Sequence, residues 1–350
     1  MRIVIVADAC DPPTNGVIRT LRALTAALEG MGHDVLMIRP PGFFSVPCPT
    51  QPDIRLALAP SRRLRRLIDD FGPDAVHIAT EGPLGLAARR LCRRRGWPFT
   101  TMFTSKFAET IHARIRVPVG WTWAALRWFH APAARTMVAT ESLAAELDVR
   151  GFGPLAHVTR GVDTDLFRPR DDAALSYPSP VWLYAGRVAP EKSVEDFLRL
   201  DLEGTKLVVG DGPDRERLER VYPDAVFLGT LRGEELARAY AGADVLVFPS
   251  LTDTFGLVVL EALASGTPVA AYPVTGPLDI IGESGAGVLD DDLGRAAREA
   301  LAIPRERARA HALGFSWQAV ARQFVAALEP IARPSGAPLP AKARPRENSA

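Results

Sequence analysis

Nine short apolar runs, several of them β-branched, alternate with helical patterns along this chain, at residues 3–6, 35–38, 75–78, 137–139, 182–184, 207–209, 226–228, 245–248 and 269–271. Runs of this length suit strands buried on both faces, and strands that alternate with helices build parallel sheets from βαβ units. The runs form two series, parted by residues 167–180, where Pro169, Asp171, Asp172, Ser176, Pro178 and Pro180 give turn chemistry and little periodicity. The expectation is an α/β chain with two parallel-sheet domains, and 350 residues at 47% hydrophobic composition supply a core for each. In open parallel sheets ligands sit beyond the carboxyl ends of the strands, so two such domains facing each other would form a cleft.

Other features narrow the function. The apolar stretch after Arg2 ends at Asp8, too short for a secretory core and better read as a first buried strand, and no run reaches the length of a membrane span. Cys10, Cys48 and Cys92 lack CxxC spacing or nearby histidine clusters, which points away from a disulfide framework or a zinc site and fits a cytoplasmic protein. Net charge is +1, yet residues 1–170 hold 23 Lys and Arg against 15 Asp and Glu, and the remainder holds 19 against 26. Much of the basic excess lies in Arg62, Arg63, Arg65 and Arg66 and in Arg89, Arg90, Arg93, Arg94 and Arg95, followed by Trp121, Trp123, Trp128 and Phe129. Leu64, Leu67, Ile68 and Phe71 recur at helical spacing, so the first tract reads as the solvated side of an amphipathic helix. The sharper alternative is peripheral association with an anionic membrane at its inner face. Nucleic acid is not an expected partner, because no recognition module accompanies the charge.

Chemistry concentrates at 252–268, T-D-T-F-G-L-V-V-L-E-A-L-A-S-G-T-P, after the strand at 245–248. Gly256 lets backbone N–H groups at a helix start come close to a ligand, and the helix dipole favours an anion such as phosphate there. Glu261 follows on an apolar stretch of that helix, where a carboxylate needs a hydrogen-bonding partner, for which a ribose diol would serve. The plainer alternative has Asp253 capping the helix and Glu261 meeting a core arginine. After the strand at 182–184, Arg187 and Lys192 flank a second helix start, where two cations could neutralise a diphosphate and stabilise it as a leaving group without a metal. Gly210 and Gly212 follow the next strand and permit close backbone approach, although a structural turn explains them equally well. In the first half, Gly16 begins a helix after the first strand and could bring that loop to a phosphate.

Together these residues resemble the retaining glycosyltransferases of family 4, which have the GT-B fold of two Rossmann-like domains, and the likeness spans almost all of the chain outside its Pro-rich end. The resemblance implies an acceptor-side domain at 1–168, a nucleotide-sugar domain at 178–314 and a closing helix at 315–330 that packs back on the first domain, while Pro334, Pro338, Pro340 and Pro345 predict a disordered tail at 333–350. It implies that Asp253, Thr254, Phe255, Gly256, Leu257 and Val258 hold the donor sugar and phosphates, Glu261 the ribose, and Arg187 with Lys192 the diphosphate. Asp253 stands where family members have the first of two glutamates, and Arg160 replaces the asparagine of an N-G-V-D stretch. Thr104 stands where many members carry a histidine, in a segment that includes Glu109, and His112 is too distant in sequence to take that place. Thr104, Glu109 and Arg160 are acceptor-side candidates.

The implied reaction moves a hexose from a nucleotide diphosphate to a hydroxyl of a glycan or lipid-linked acceptor, with neither cofactor nor metal. The T-D-T-F-G form with Arg160 looks most like bacterial GDP-mannose-dependent α-mannosyltransferases, with UDP-hexose donors as the alternative. An inverting enzyme would need a general base near the acceptor, for which Asp8, Asp11 and Glu109 are the candidates. A sugar-nucleotide epimerase and a non-catalytic protein of the same fold are further alternatives. A nicotinamide-dependent oxidoreductase is disfavoured, since no G-x-G-x-x-G follows the first strand.

Overall fold

A computed structural model describes residues 1–8, 16–48, 51–58, 60–103, 118–173, 175–251 and 255–332. The expectations placed on Asp11, Thr104, Glu109, His112, Asp253, Thr254 and the tail 333–350 lie outside the described residues. The chain divides into two compact units, Met1–Thr159 with the chain from Val320 onward, and Arg160–Ala319.

In the first unit, strands β1 (Arg2–Val6), β2 (Asp34–Ile38), β5 (Ala75–Ile78), β6 (Thr100–Phe103), β7 (Arg135–Val138) and β8 (Leu155–His157) form one sheet in the order β2-β1-β5-β6-β7-β8. All its pairings are parallel, with Ile3 facing Val35 on one side and Ala75 on the other. Ile3, Val4, Ile5 and Val6 are fully buried, as expected of a strand covered by helices on both faces. Val4, Val6, Val76 and Ile78 share a core with Leu64 and Ile68 of the helix Ser61–Phe71 and with Leu84, Ala88 and Cys92 of the helix Pro83–Arg95. The chain end belongs to this unit: Phe324 meets His77 edge-on at 4.8 Å, and the Ile331 N–H donates to the Asp74 carbonyl at 2.7 Å.

The second unit holds β9 (Val181–Ala185), β10 (Thr205–Val209), β11 (Val226–Gly229), β12 (Val245–Phe248), β13 (Val269–Ala271) and β14 (Gly287–Leu289), again all parallel, in the order β11-β10-β9-β12-β13-β14. Trp182, Tyr184, Val208, Val245, Val247 and Ala270 pack with Phe197, Leu218 and Ala297 from helices into one core. Trp182 buries its ring and satisfies its indole N–H on the Glu203 carbonyl at 2.7 Å.

All nine apolar runs are strands or overlap one. The sequence pattern does not show an antiparallel hairpin of β3 (Ser45–Cys48) and β4 (Gln51–Ala57), nor β6, β8 and β14. Pro47, Pro49 and Pro52 obscure the hairpin, and β8 and β14, at three residues each, are too short for a period of two to register. Among the described residues no helix is long and apolar enough to cross a membrane.

Candidate active site

Strand order fixes where a ligand can sit in the second unit. From β9 the chain builds outward to β10 and β11 on one side, and to β12, β13 and β14 on the other. Such a reversal leaves a crevice beyond the carboxyl ends of the two central strands, here β9 and β12. These strands are hydrogen-bonded neighbours, with Val245 facing Trp182 and Leu246 facing Leu183, so the loops that leave them start side by side.

The β9 loop carries Arg187 and Lys192. Gly186 N–H donates to the Val209 carbonyl and Val188 N–H to the Asp211 carbonyl, both at 2.9 Å, which ties this loop to the one after β10. The Tyr184 hydroxyl donates to the Arg187 carbonyl at 2.7 Å. With its backbone thus held, the Arg187 side chain remains 65% exposed and meets Glu191 at 3.6 Å, a surface pair that an anionic ligand could displace at small cost. Lys192 closes the single 3-10 turn Pro190–Lys192 and is half-buried.

Gly210 and Gly212 have a backbone explanation. A Cβ at Gly210 would lie 1.8 Å from the Gly186 carbonyl oxygen, and one at Gly212 would lie 2.2 Å from that of Val188. Both glycines are required by the approach of two loops, so no ligand need be invoked for them.

The β12 loop leads to Phe255, Gly256 and the helix Leu257–Ala264. Gly256 has φ 84° and ψ 64°, a left-handed conformation that glycine adopts without steric penalty, and it turns the chain into the helix. The first N–H groups of any helix lack an intrahelical acceptor, and here Leu257 and Val258 are only half-buried. Ser250, two residues beyond β12, is fully buried, and its hydroxyl has no hydrogen-bond partner among the described residues. Its local sequence gives no sign of this; the signal is positional, a hydroxyl two residues beyond the strand at the crevice.

Glu261 is 6% exposed, flanked by the fully buried Val259, Leu260, Ala262 and Leu263, and accepts a hydrogen bond from the Tyr240 hydroxyl at 3.1 Å. Tyr240 is itself buried and stands edge-on to Phe167 at 5.7 Å. Arg160 belongs to this unit, with its guanidinium 5.6 Å over the ring of the buried Phe255, and burial lowers its pKa. The segment after it is fastened by Arg309, which donates to the carbonyls of Phe167 and Ala264 at 2.7 Å and of Thr164 at 2.9 Å. Tyr240 and Arg309 escape sequence reasoning because their partners lie 21 to 145 residues away.

In the first unit, Gly16 opens the helix Gly16–Gly30. Asp8, a general-base candidate, is committed to structure. Its carboxylate accepts from the N–H groups of Leu84 at 2.8 Å and Gly85 at 3.1 Å and from the Thr80 hydroxyl at 3.0 Å, satisfying the start of the helix Pro83–Arg95. Burial nonetheless raises its pKa, against the lowering effect of those bonds.

Comparison with known proteins agrees with this geometry. Residues 179–303 match the family described as glycosyl transferases group 1, and residues 14–166 match glycosyltransferase family 4. The chain is 34% identical to a GDP-mannose-dependent alpha-mannosyltransferase of Mycolicibacterium smegmatis over 83% of its own length and 84% of that protein. It is 32% identical to the sulfoquinovosyl transferase SQD2 of Arabidopsis thaliana, covering 74% of this chain and 54% of that one. Among solved structures, a sucrose-phosphate synthase from Thermosynechococcus elongatus superposes with a TM-score of 0.69 at 21% identity, over 93% of this chain and 97% of the other. That likeness establishes a two-domain, Rossmann-like GT-B fold.

Proposed function

The chain belongs to glycosyltransferase family 4 and is a glycosyltransferase, and on that premise we propose that it transfers mannose from GDP-mannose, with retention of configuration and without a metal, to a hydroxyl of a glycan or lipid-linked acceptor. The observation that carries this reading is the crevice between β9 and β12, where a cationic loop and a glycine-led helix start leave adjacent strand ends. The donor itself is assigned by the similarity to the GDP-mannose-dependent relative.

Each group then has a role that follows from its chemistry. The N–H groups at Leu257 and Val258 receive a phosphate at the positive end of the helix, with the Ser250 hydroxyl as a further donor. Arg187 and Lys192 neutralise the diphosphate as its bond to the anomeric carbon breaks, which a preorganised pair of cations does without help from a metal. Glu261, steadied by Tyr240, accepts from the ribose hydroxyls. Asp253, which lies in the sequence between β12 and the helix Leu257–Ala264, is assigned to the sugar by the resemblance. The acceptor oxygen attacks the face that the diphosphate leaves, and its proton passes to a phosphate oxygen of the leaving group. This step needs positioning and charge stabilisation but no protein nucleophile.

The test is incubation of the purified chain with radiolabelled GDP-mannose and a mixed glycolipid acceptor fraction, in chelator, with the product's anomeric configuration read by NMR. α-Mannosyl product formed in chelator is expected. Transfer from UDP-glucose alone would reassign the donor, a β-linked product would remove retention, and a requirement for added divalent cation would remove metal independence.

A further inference from the structure

On the reading that the chain transfers sugar to a hydroxyl, we infer that Glu81 binds hydroxyls of the acceptor and that His130 is the residue that positions it. Sequence patterns do not mark the pair, because 49 residues separate its members.

Strand order gives the first unit a crevice of its own. From β1 the sheet extends to β2 on one side and to β5, β6, β7 and β8 on the other. The reversal falls between β1 and β5, whose carboxyl ends lead to Asp8 and to residues 80–82. The two loops are locked together. The Asp8 N–H donates to the Thr80 hydroxyl at 2.7 Å, that hydroxyl donates to the Asp8 carboxylate at 3.0 Å, and a Cβ at Gly82 would lie 2.4 Å from Asp8 Cγ. Glu81 stands between these fixed points, three residues beyond β5. Asp8 is buried and engaged by Thr80, Leu84 and Gly85, whereas the Glu81 side chain is 26% exposed and so open to a ligand.

Behind Glu81 lies a buried polar chain. His130 ends the helix Val119–His130 and is 2% exposed, its ring 5.1 to 5.8 Å from those of Phe103, Phe129 and Phe152. His130 Nε2 lies 3.3 Å from Glu81 Oε1, and Nδ1 lies 2.8 Å from the Thr101 hydroxyl, which is 3.1 Å from that of Thr136. Thr101 and Thr136 face each other in register on β6 and β7, so the chain is anchored in the sheet. An ionised carboxylate only accepts, so Nε2 carries a hydrogen and donates it to Glu81. In a neutral ring Nδ1 then accepts from Thr101, whose oxygen accepts from Thr136, and every group in the chain has a partner.

A carboxylate that merely covers the surface has no need of a buried anchor; one that must meet a ligand in a fixed place does. An unheld glutamate gives up rotamer freedom when it binds, and Glu81, held through Oε1, has given up much of it beforehand. Oε2 and the remaining lone pair of Oε1 can accept from two hydroxyls, the pattern that a vicinal diol of a sugar presents. A phosphate or carboxylate at this point would meet a like charge, so the matching group is a hydroxyl.

The experiment measures transfer by the full chain against a dilution series of the glycolipid acceptor fraction, with saturating GDP-mannose or UDP-glucose, whichever the wild type uses. Calorimetry with GDP and UDP follows the donor side separately. Glu81→Gln keeps an acceptor for the His130 N–H but loses the charge. Its half-saturating acceptor concentration should rise roughly tenfold to a hundredfold, with nucleotide affinity at the wild-type value and Tm within about 2 °C. His130→Phe keeps a ring in the aromatic cluster and releases Glu81, for a rise of roughly tenfold, and His130→Gln, which retains an N–H donor, should recover part of it. Wild-type half-saturation in Glu81→Gln, or an equal loss of nucleotide affinity, would overturn the role of Glu81. A lowered Tm in His130→Phe with unchanged half-saturation would overturn that of His130. No transfer by the wild-type chain from either donor would remove the reading of the reaction and both roles with it.

Discussion

Replacing Tyr240 with phenylalanine removes one oxygen and little else, which makes it a sharp probe of Glu261. The Tyr240 ring packs edge-on to Phe167 and keeps that contact in the variant, while the Glu261 carboxylate loses a donor at 3.1 Å. Hydrogen bonds to charged groups are worth about 1.5–3 kcal/mol, and this one is long for a hydroxyl–carboxylate pair, so about 1.5 kcal/mol is appropriate. For a domain of this size that corresponds to a fall in Tm of roughly 3–6 °C, measurable by circular dichroism. If Glu261 also binds the ribose, a loosened carboxylate weakens GDP binding by up to about tenfold, measurable by calorimetry. Glu261→Gln should weaken it further, and the double variant should be no worse than Glu261→Gln alone, because both changes act on one interaction. Additive losses in the double variant, or wild-type GDP affinity in Glu261→Gln, would refute the reasoning.

Arg187→Ala and Lys192→Ala should each lower kcat on the order of a hundredfold in a transfer assay, with Tm changed by less than about 2 °C, since the loss is of charge at the leaving group and not of packing. Arg309→Ala strands the carbonyls of Phe167, Ala264 and Thr164 and should cost roughly 3 kcal/mol, read as a fall in the thermal midpoint. Arg309→Lys should recover only part of this, because an ammonium cannot reproduce the guanidinium fork. His77 is fully buried and burial lowers its pKa to about 3, so the folded protein resists a proton that the unfolded chain accepts near pH 6.5. The stability due to a neutral His77 is complete above pH 6.5 and is lost as pH falls toward 3, by about 2 kcal/mol at pH 5. Denaturant melts should therefore show a flatter dependence between pH 7 and 5 for His77→Gln than for the wild type.

Much of the architecture is legible in the sequence because buried parallel strands need unbroken apolar runs, and residues 245–248 or 182–184 have no other use for them. The hairpin is hidden because its prolines break the alternation that would mark a strand. At the site, Gly256 and Glu261 stand out as a glycine before a helix and a carboxylate on an apolar stretch, and both features have a structural counterpart in the left-handed φ and the Tyr240 bond. Gly210 and Gly212 are equally visible, but the pattern cannot tell a ligand's approach from that of the Gly186 and Val188 carbonyls. Arg160 is visible as a departure from a family pattern, whereas its place over Phe255 depends on how the chain closes over 95 residues of separation. Tyr240 and Arg309 carry no local mark at all, since their roles arise only when distant segments meet.

The central claim is that the donor occupies the crevice between β9 and β12. Hydrogen exchange on the full chain, with and without saturating GDP-mannose, reports on that crevice directly. The account predicts slowed exchange in residues 186–192 and at the start of the helix Leu257–Ala264, with the edge strands β11 and β14 unchanged. Saturation by the donor with no added protection in those two segments would contradict it.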